Sequence, residues 1–284
     1  MAGNLYLVAT PIGNLEDITL RALRTLRDEV QIIACEDTRQ TQKLLTHFDI
    51  RKPLISYHER NETAQTENIL RALSRGEAVA LVSDAGTPLV SDPGYRVVTA
   101  AISNGYPVVP IPGASAVLSA LGGSGLPTDT FRFIGFLPPK SGSRRKALEA
   151  LATDASTVIA YESPHRILDS LEDIGQILGE RQIVLARELT KIHEEFLRGT
   201  ADSIRRELGA RGTPKGEMTL VIGRGTDKAE IRDVKAEVER LTRELALDRM
   251  EAIKVVAKQL GLPKQEVYRR VAVPGSSPLD KGRD

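Results

Sequence analysis

Short aliphatic runs at residues 5–9, 31–34, 54–56, 79–82 and 108–111 alternate with segments of helical period at 20–27, 65–75 and 93–104. Such alternation builds βαβ units, so the first half predicts an α/β fold with a mostly parallel N-terminal sheet. The run Val79-Ala80-Leu81-Val82 breaks abruptly into Ser83-Asp84-Ala85-Gly86-Thr87-Pro88-Leu89-Val90-Ser91-Asp92-Pro93-Gly94. A loop of this kind at the carboxyl end of a buried strand is where an open α/β sheet leaves a ligand crevice. Gly86 has no side chain and Pro88 fixes the turn, so residues 86–89 are expected to offer main-chain N–H and C=O groups at close range.

A length of 284 residues exceeds one typical domain and suggests two α/β units plus an appendage. After 108–111, Pro112-Gly113-Ala114-Ser115-Ala116 opens a small-residue helix to about residue 121. It is either an ordinary connection capped by Ser115 or a second wall of the crevice. Residues 122–127 are glycine-rich but lack both GK[ST] and the G-x-G-x-x-G spacing, and read as a linker. Strands are expected at 130–136, 157–161, 183–186 and 218–222 and helices at 147–152, 166–178 and 201–208, giving a mixed second sheet. Between them, 137–146 reads as a flexible basic segment whose Lys140, Arg144, Arg145 and Lys146 suit either RNA phosphates or a solvated surface. Beyond residue 227 the chain turns helical and charged, and 252–261, 262–264 and 265–271 outline a helix-turn-helix carrying Lys264, Tyr268, Arg269 and Arg270. Packing appendage and nucleic-acid contact both remain open for it. The expected division is 1–118, 119–226, 227–273 and a disordered polar tail, 274–284.

With 39 basic and 38 acidic residues, the net charge of +1 neither advertises nor excludes nucleic acid. The single cysteine, Cys35, rules out an internal disulfide or a Cys-based metal cluster and suits a reducing compartment. His47, His58, His165 and His193 are scattered, and no metal is implied. Walker A, H-E-x-x-H and G-x-S-x-G motifs are missing. Neither a leader pattern nor an apolar run near the ~20 residues of a membrane span occurs, so a soluble cytoplasmic protein is expected. Polar clusters follow four strand-like runs: Glu36-Asp37-Thr38-Arg39, Ser56-Tyr57-His58-Glu59-Arg60-Asn61-Glu62, Tyr161-Glu162-Ser163-Pro164-His165-Arg166, and Arg187-Glu188-Leu189-Thr190-Lys191-Ile192-His193-Glu194-Glu195. Any one could be a helix cap or surface ion pair, but strand ends are where α/β enzymes keep their working groups.

In order along the chain, Leu5-Tyr6-Leu7-Val8-Ala9-Thr10-Pro11-Ile12-Gly13-Asn14-Leu15, Cys35-Glu36-Asp37-Thr38-Arg39, Ser83-Asp84-Ala85-Gly86-Thr87-Pro88, Pro112-Gly113-Ala114-Ser115-Ala116, Tyr161-Glu162-Ser163-Pro164-His165-Arg166 and Arg187-Glu188-Leu189-Thr190-Lys191 form a set. Together they resemble the tetrapyrrole-methylase superfamily over about residues 5–223, and within it the branch that methylates ribose 2′-oxygens of small-subunit ribosomal RNA. The resemblance implies two α/β domains with S-adenosylmethionine in the cleft between them, usually in a homodimer, and methyl transfer to a cytidine 2′-OH in the decoding region of 16S RNA. Where the superfamily commonly carries Gly-Asp-Pro, this chain has Gly86-Thr87-Pro88, with the acid displaced to Asp84. That departure, with the first loop Thr10-Pro11-Ile12-Gly13-Asn14, argues for RNA over a tetrapyrrole. By motif position, Ile12, Gly86, Thr87, Pro88, Val90, Ser115, Ala116, Tyr161 and Met218 would line the donor pocket. Candidates for a general base are Asp37, His58 and Lys191. Arg39, Arg166 and Arg187 would hold phosphates, joined by the basic residues of 140–146 and 264–270. The target nucleotide is expected to splay out of its stack into the cleft. The rivals are a methyltransferase of the same superfamily with a non-RNA substrate, and a non-catalytic RNA-binding protein with this fold.

Overall fold

The computed structural model describes residues 2–225, 234–244, 247–260 and 262–272. These fall into two units, Met1–Glu149 with Ser156–Gly223, and Ala150–Ala155 with Arg224–Asp284. In the larger unit, β1 (Leu5–Val8), β2 (Ile32–Cys35), β3 (Leu54–Ser56), β4 (Val79–Val82) and β5 (Val108–Ile111) form a sheet of order β3-β2-β4-β1-β5. Every pair in it is parallel. The connecting helices are α1 (Leu20–Arg24), α2 (Thr38–His47), α3 (Glu62–Ser74) and α4 (Tyr95–Ser103). The expected helix at 20–27 is α1 followed by a π-helical turn, Thr25–Glu29.

Strand residues alternate between two cores. Ala80 and Val82 join Val8, Ile33 and Ile111 under Leu26 and Leu45, whereas Val79 and Leu81 join Leu5 and Ala34 under Ile69, Leu73 and Val97. With both faces covered, each strand must be apolar throughout, which is why its sequence run shows no alternation. The strand order also sets the site. From β1 the chain runs past β4 to β2, whereas from β4 it runs past β1 to β5. The loops leaving these two neighbours therefore diverge, and the crevice of an open α/β sheet lies at the carboxyl ends of such a pair.

The second sheet holds β6 (Phe131–Phe136), β7 (Thr157–Glu162), β8 (Ile183–Arg187), β9 (Glu195–Gly199) and β10 (Met218–Ile222) in the order β6-β7-β10-β8-β9. Only β6–β7 is parallel, so the sheet is mixed. Its helices are α5 (Ala116–Ser124), α6 (Ser141–Leu151), α7 (Ile167–Leu178) and α8 (Ala201–Ala210). Val117, Ala120 and Leu121 of α5 pack on Ile159, Val184, Ala186 and Val221, in a cluster that also takes Ile12 and Leu189. The expected division at 118/119 thus falls within a helix seated on the second sheet.

Two sequence expectations are corrected. Residues 122–124 are not linker but the last turn of α5, where a side chain at Gly123 would meet the Phe196 ring at 2.4 Å and Gly125, at φ 78°, ends the helix. Nor is 137–146 a flexible loop, because α6 begins at Ser141 and Arg144 is 3% exposed. Its guanidinium holds Asp173 at 2.7 Å, and Ser141 and Arg145 also bond that carboxylate. Burial pushes the Asp173 carboxyl up, but the bonds from Arg144, Ser141 and Arg145 outweigh it and hold it below the ordinary carboxylate range. The edge strand β9, paired antiparallel with β8, has no counterpart in the sequence expectation.

In the smaller unit α9 (Val234–Glu244), α10 (Arg249–Leu260) and α11 (Lys264–Ala272) share a core of Val238, Leu241, Ile253, Val256, Val267 and Val271. The α10–α11 pair matches the expected helix-turn-helix outline, while residue 261 and the tail 274–284 lie outside the described residues. Arg269 and Arg270 both bond Glu266. Among the described residues, no helix is long and apolar enough to cross a membrane.

Candidate active site

At the switch point the β1 and β4 loops are tied to each other. Thr10 and Gly86 exchange main-chain hydrogen bonds of 2.9 and 3.0 Å, the Thr10 hydroxyl donates to Ser83 O at 3.0 Å, and the Ser83 hydroxyl donates to Gly86 O at 2.9 Å. A third loop joins where the Thr87 hydroxyl reaches Ala114 O at 3.3 Å, and Ser115 caps α5 by accepting from Leu118 N. The main chain of Gly86 is therefore engaged with Thr10, not offered to a ligand as its sequence context suggested. Its role is conformational: φ is +84°, and an added side chain would come within 3.3 Å of Ile12. Leu89 and Ser91 share this left-handed geometry at φ 71° and 65°. For a leucine that is uncommon, and such conformations persist only where the surroundings enforce them. Here Leu89 packs into the core beside Leu81 and Val97, and Gly94 N donates to Glu62 at 3.2 Å.

These loops and the second sheet enclose a cavity of about 420 Å³. Of the nine residues expected to line a donor pocket, Ile12, Gly86, Thr87, Val90, Ser115, Ala116, Tyr161 and Met218 line this one. Pro88 is buried outside the lining. Tyr161 meets Phe133 and Phe136 edge-on at 4.9 and 5.5 Å, which fixes its ring, and burial pushes its phenol up. Four carboxylates also face the cavity: Asp84, Asp92, Glu162 and Glu217. Glu162 is buried and satisfied, accepting from Ser170, Ser163 and Arg166. Burial, with Glu36 adding to it, pushes Asp92 up to about 6.

A second cavity of about 560 Å³ adjoins the first and shares Asp84, Ala85 and Glu217 with it. Its other walls are Thr10, Pro11, Leu15 and Ser83 on one side and Gln40, Thr41, Lys43, Leu44 and His47 of α2 on the other. Asp84 accepts a hydrogen bond from Asp37 N at 3.0 Å.

The three expected bases line neither cavity. Asp37 caps α2 and is held at about 2 by its bonds to Arg39, which make it a poor proton acceptor. Lys191 bonds Glu188 at 2.9 Å and Glu217 at 3.2 Å; burial lowers its ammonium, but these bonds outweigh burial and hold it protonated. His58 sits at the start of the turn into α3, its main chain bonded to Asn61 and its buried Nδ1 without a partner. Several expected phosphate ligands have protein partners. Arg187 pairs with Glu195 and Lys215 O, Arg166 with Glu162 and Ser163, Arg39 with Asp37, and Arg145 with Asp173 and Gln176. Lys140, Lys146 and Lys264 are exposed. The sequence reading missed Asp92, Glu217 and the α2 residues. Asp92 lies inside the loop 83–94, and the signal for α2 is its cap Asp37 followed by Arg39, Lys43 and His47 at four-residue spacing.

Residues 4–205 match the family described as Tetrapyrrole (Corrin/Porphyrin) Methylases. The chain is 50% identical over 272 residues to the ribosomal RNA small subunit methyltransferase I of Halalkalibacterium halodurans, covering 94% of this chain and 93% of that protein. It is 46% identical over 276 residues to the protein of that name from Escherichia coli O157:H7, covering 94% of each. Among solved structures, the uroporphyrin-III C-methyl transferase of Thermus thermophilus complexed with S-adenyl homocysteine superposes with a TM-score of 0.54 at 19% identity, over 78% of this chain and 97% of that one. That likeness is one of fold.

Proposed function

The chain belongs to the tetrapyrrole (corrin/porphyrin) methylase family, and from that premise we propose that it is an S-adenosylmethionine-dependent methyltransferase of small-subunit ribosomal RNA, methylating the 2′-oxygen of a cytidine ribose in the decoding region. One observation carries the reading: a largely apolar cavity at the switch point adjoins a second and more polar one, with Asp84, Ala85 and Glu217 common to both linings. Donor and acceptor have to meet in line, and two adjoining chambers hold them for that encounter. Such alignment is worth roughly 7–11 kcal/mol, against about 3–5 for a general base.

The residues present fit the donor. Ile12, Val90, Ala116 and Met218 give apolar walls, Thr87, Ser115 and Thr219 give hydroxyls, and Asp84, Asp92 and Glu217 suit a cationic ligand. When bound, S-adenosylmethionine supplies a methyl already activated on a sulfonium. The chain contributes position and a proton acceptor. Asp84, on the wall common to both cavities, takes the 2′-hydroxyl proton in preference to Asp37 or Lys191. The protein works as a homodimer in the cytoplasm; exposed Phe131 and Phe136 on β6 and Leu118 on α5 are apolar surface that a second copy can cover.

The test is incubation of the full chain with purified small ribosomal subunits and methyl-labelled S-adenosylmethionine, followed by mapping of the label. The expected product is a 2′-O-methylcytidine in the decoding region, with light scattering returning twice the chain mass. Label on a base, or none on small-subunit RNA, would overturn the assignment.

A further inference from the structure

Along α2, Arg39, Lys43 and His47 recur every four residues, so one basic side chain stands on each successive turn. Gln40, Lys43, Leu44 and His47 follow the i, i+3, i+4, i+7 spacing of one helical face, and that face lines the second cavity. Thr41 lines it as well, 4% exposed, its hydroxyl without an oxygen or nitrogen partner and with only the weakly bonding Cys35 thiol beside it. A buried hydroxyl with so weak a partner is costly, and one on a cavity wall marks where a ligand's polar edge can complete it. The cavity's about 560 Å³ lies within the roughly 300–1,000 Å³ of small-molecule sites.

Charge divides the cavity. Lys43 and His47 are exposed on the α2 side, while Asp84 and Glu217 stand at the wall shared with the donor cavity. An anionic ligand is thus drawn along α2, and its neutral hydroxyl-bearing part is left toward the carboxylates. A single RNA strand with one nucleotide turned out of its stack has that distribution, since phosphates flank an uncharged ribose and base.

Resting on the reading that the chain methylates a ribose in RNA, we propose that the second cavity is the acceptor-nucleotide site and that α2 is its specificity element. Lys43 and His47 hold the phosphates beside the target ribose. Gln40 and Thr41 hydrogen-bond its base, and the ribose hydroxyl turns to Asp84. Lys43 donates to Gln40 Oε1 at 3.2 Å, so the phosphate ligand also orients the base reader.

The test uses the full chain, small ribosomal subunits and labelled S-adenosylmethionine across a salt series. Lys43→Gln is expected to lower kcat/KM about tenfold and to flatten the slope of log kcat/KM against log salt by about 0.7, the contribution of one single-strand phosphate contact. Lys43→Arg should restore the slope. Thr41→Val is expected to lower kcat/KM several-fold with little change in thermal stability, since within the protein its hydroxyl meets only the weakly bonding Cys35 thiol. In all three, S-adenosylmethionine affinity by calorimetry should stay within about twofold of the parent, because none of these residues lines the donor cavity. A parent chain that methylates small-subunit RNA beside a Lys43→Gln variant with unchanged salt slope and kcat/KM overturns this inference alone. A parent chain that labels no such RNA overturns the underlying reading, and this one with it.

Discussion

The two cavities that meet at Asp84 are built by different means. The side chains of the donor cavity are presented partly by an irregular loop, in which Gly86, Leu89, Ser91 and Gly94 all hold positive φ. One wall of the acceptor cavity is the face of a regular helix, and its polar groups are side chains on α2. A wall set on a strained loop recognises one ligand by shape and yields little to added atoms. A helix face recognises by charge and hydrogen bonding, and its side chains can be changed one at a time. Substitutions in the first cavity should therefore act through strain and steric exclusion, and those in the second through graded, salt-dependent losses.

The largest effect separating them is expected from Gly86→Val. A β-branched residue at φ +84° is strained, and its Cβ would stand 3.3 Å from Ile12 with further atoms beyond it. S-adenosylmethionine affinity should fall about 100-fold or more, roughly 3 kcal/mol, with a lowered melting temperature. Calorimetry decides it. A variant that binds the donor normally would mean that the loop yields easily and that the contrast between the cavities is wrong.

This asymmetry also governs how much of the site could be read from sequence. A loop that must adopt left-handed geometry announces itself through Gly, Pro and Ser after an apolar run, so residues 83–94 and eight of the donor-wall residues were legible. A helix face carries no such punctuation. Gln40, Lys43 and His47 look like any solvated surface until the fold sets Thr10, Pro11 and Asp84 opposite them. Basic residues were legible as charges but not as surfaces. Arg144 is neutralised by Asp173, 29 positions away, a pairing that only the packing of α6 on α7 creates. Glu217 follows the same rule, joining the site by virtue of β10 lying centrally in the second sheet. The parallel sheet was readable because burial on both faces leaves continuous apolar runs, whereas the edge strand β9, with Glu195 and Arg198 among its five residues, leaves none.

A smaller effect belongs to Asp92→Asn, which tests whether the donor cavity keeps its carboxylates at a cost. The carboxyl titrates at about 6 in the folded chain against an ordinary 3.8. Between those values the folded state binds a proton that the unfolded state has released, so the parent chain's stability falls as pH rises from about 4 to about 6 and stays lower above that. The variant has no such dependence at this position. Its advantage should be near zero at pH 4 and, discounted for the solvent-facing part of the side chain, roughly 1 kcal/mol at pH 7. Donor affinity should fall several-fold as a carboxylate facing the cation is lost. Denaturant melts at the two pH values check the first half, and equal stabilities at pH 7 would contradict it.

Ser91→Gly is the finest probe, because it changes the loop's preorganisation while adding nothing to the cavity. At φ 65° serine bears a left-handed cost of about 1 kcal/mol that glycine does not. Glycine also gains freedom in the unfolded chain, which offsets roughly 0.5–1 kcal/mol of that relief. Net stability should therefore move by about 0.5 kcal/mol or less. Binding should respond differently, since a freer loop must be ordered each time the donor enters, and affinity is expected to weaken about two- to threefold. Acceptor kinetics at saturating donor should not change, because Ser91 lines the donor cavity and not its neighbour. If kcat/KM for the ribosomal subunit fell at saturating donor while donor affinity held, the two walls would be mechanically one, and the division of labour at Asp84 would have to be abandoned.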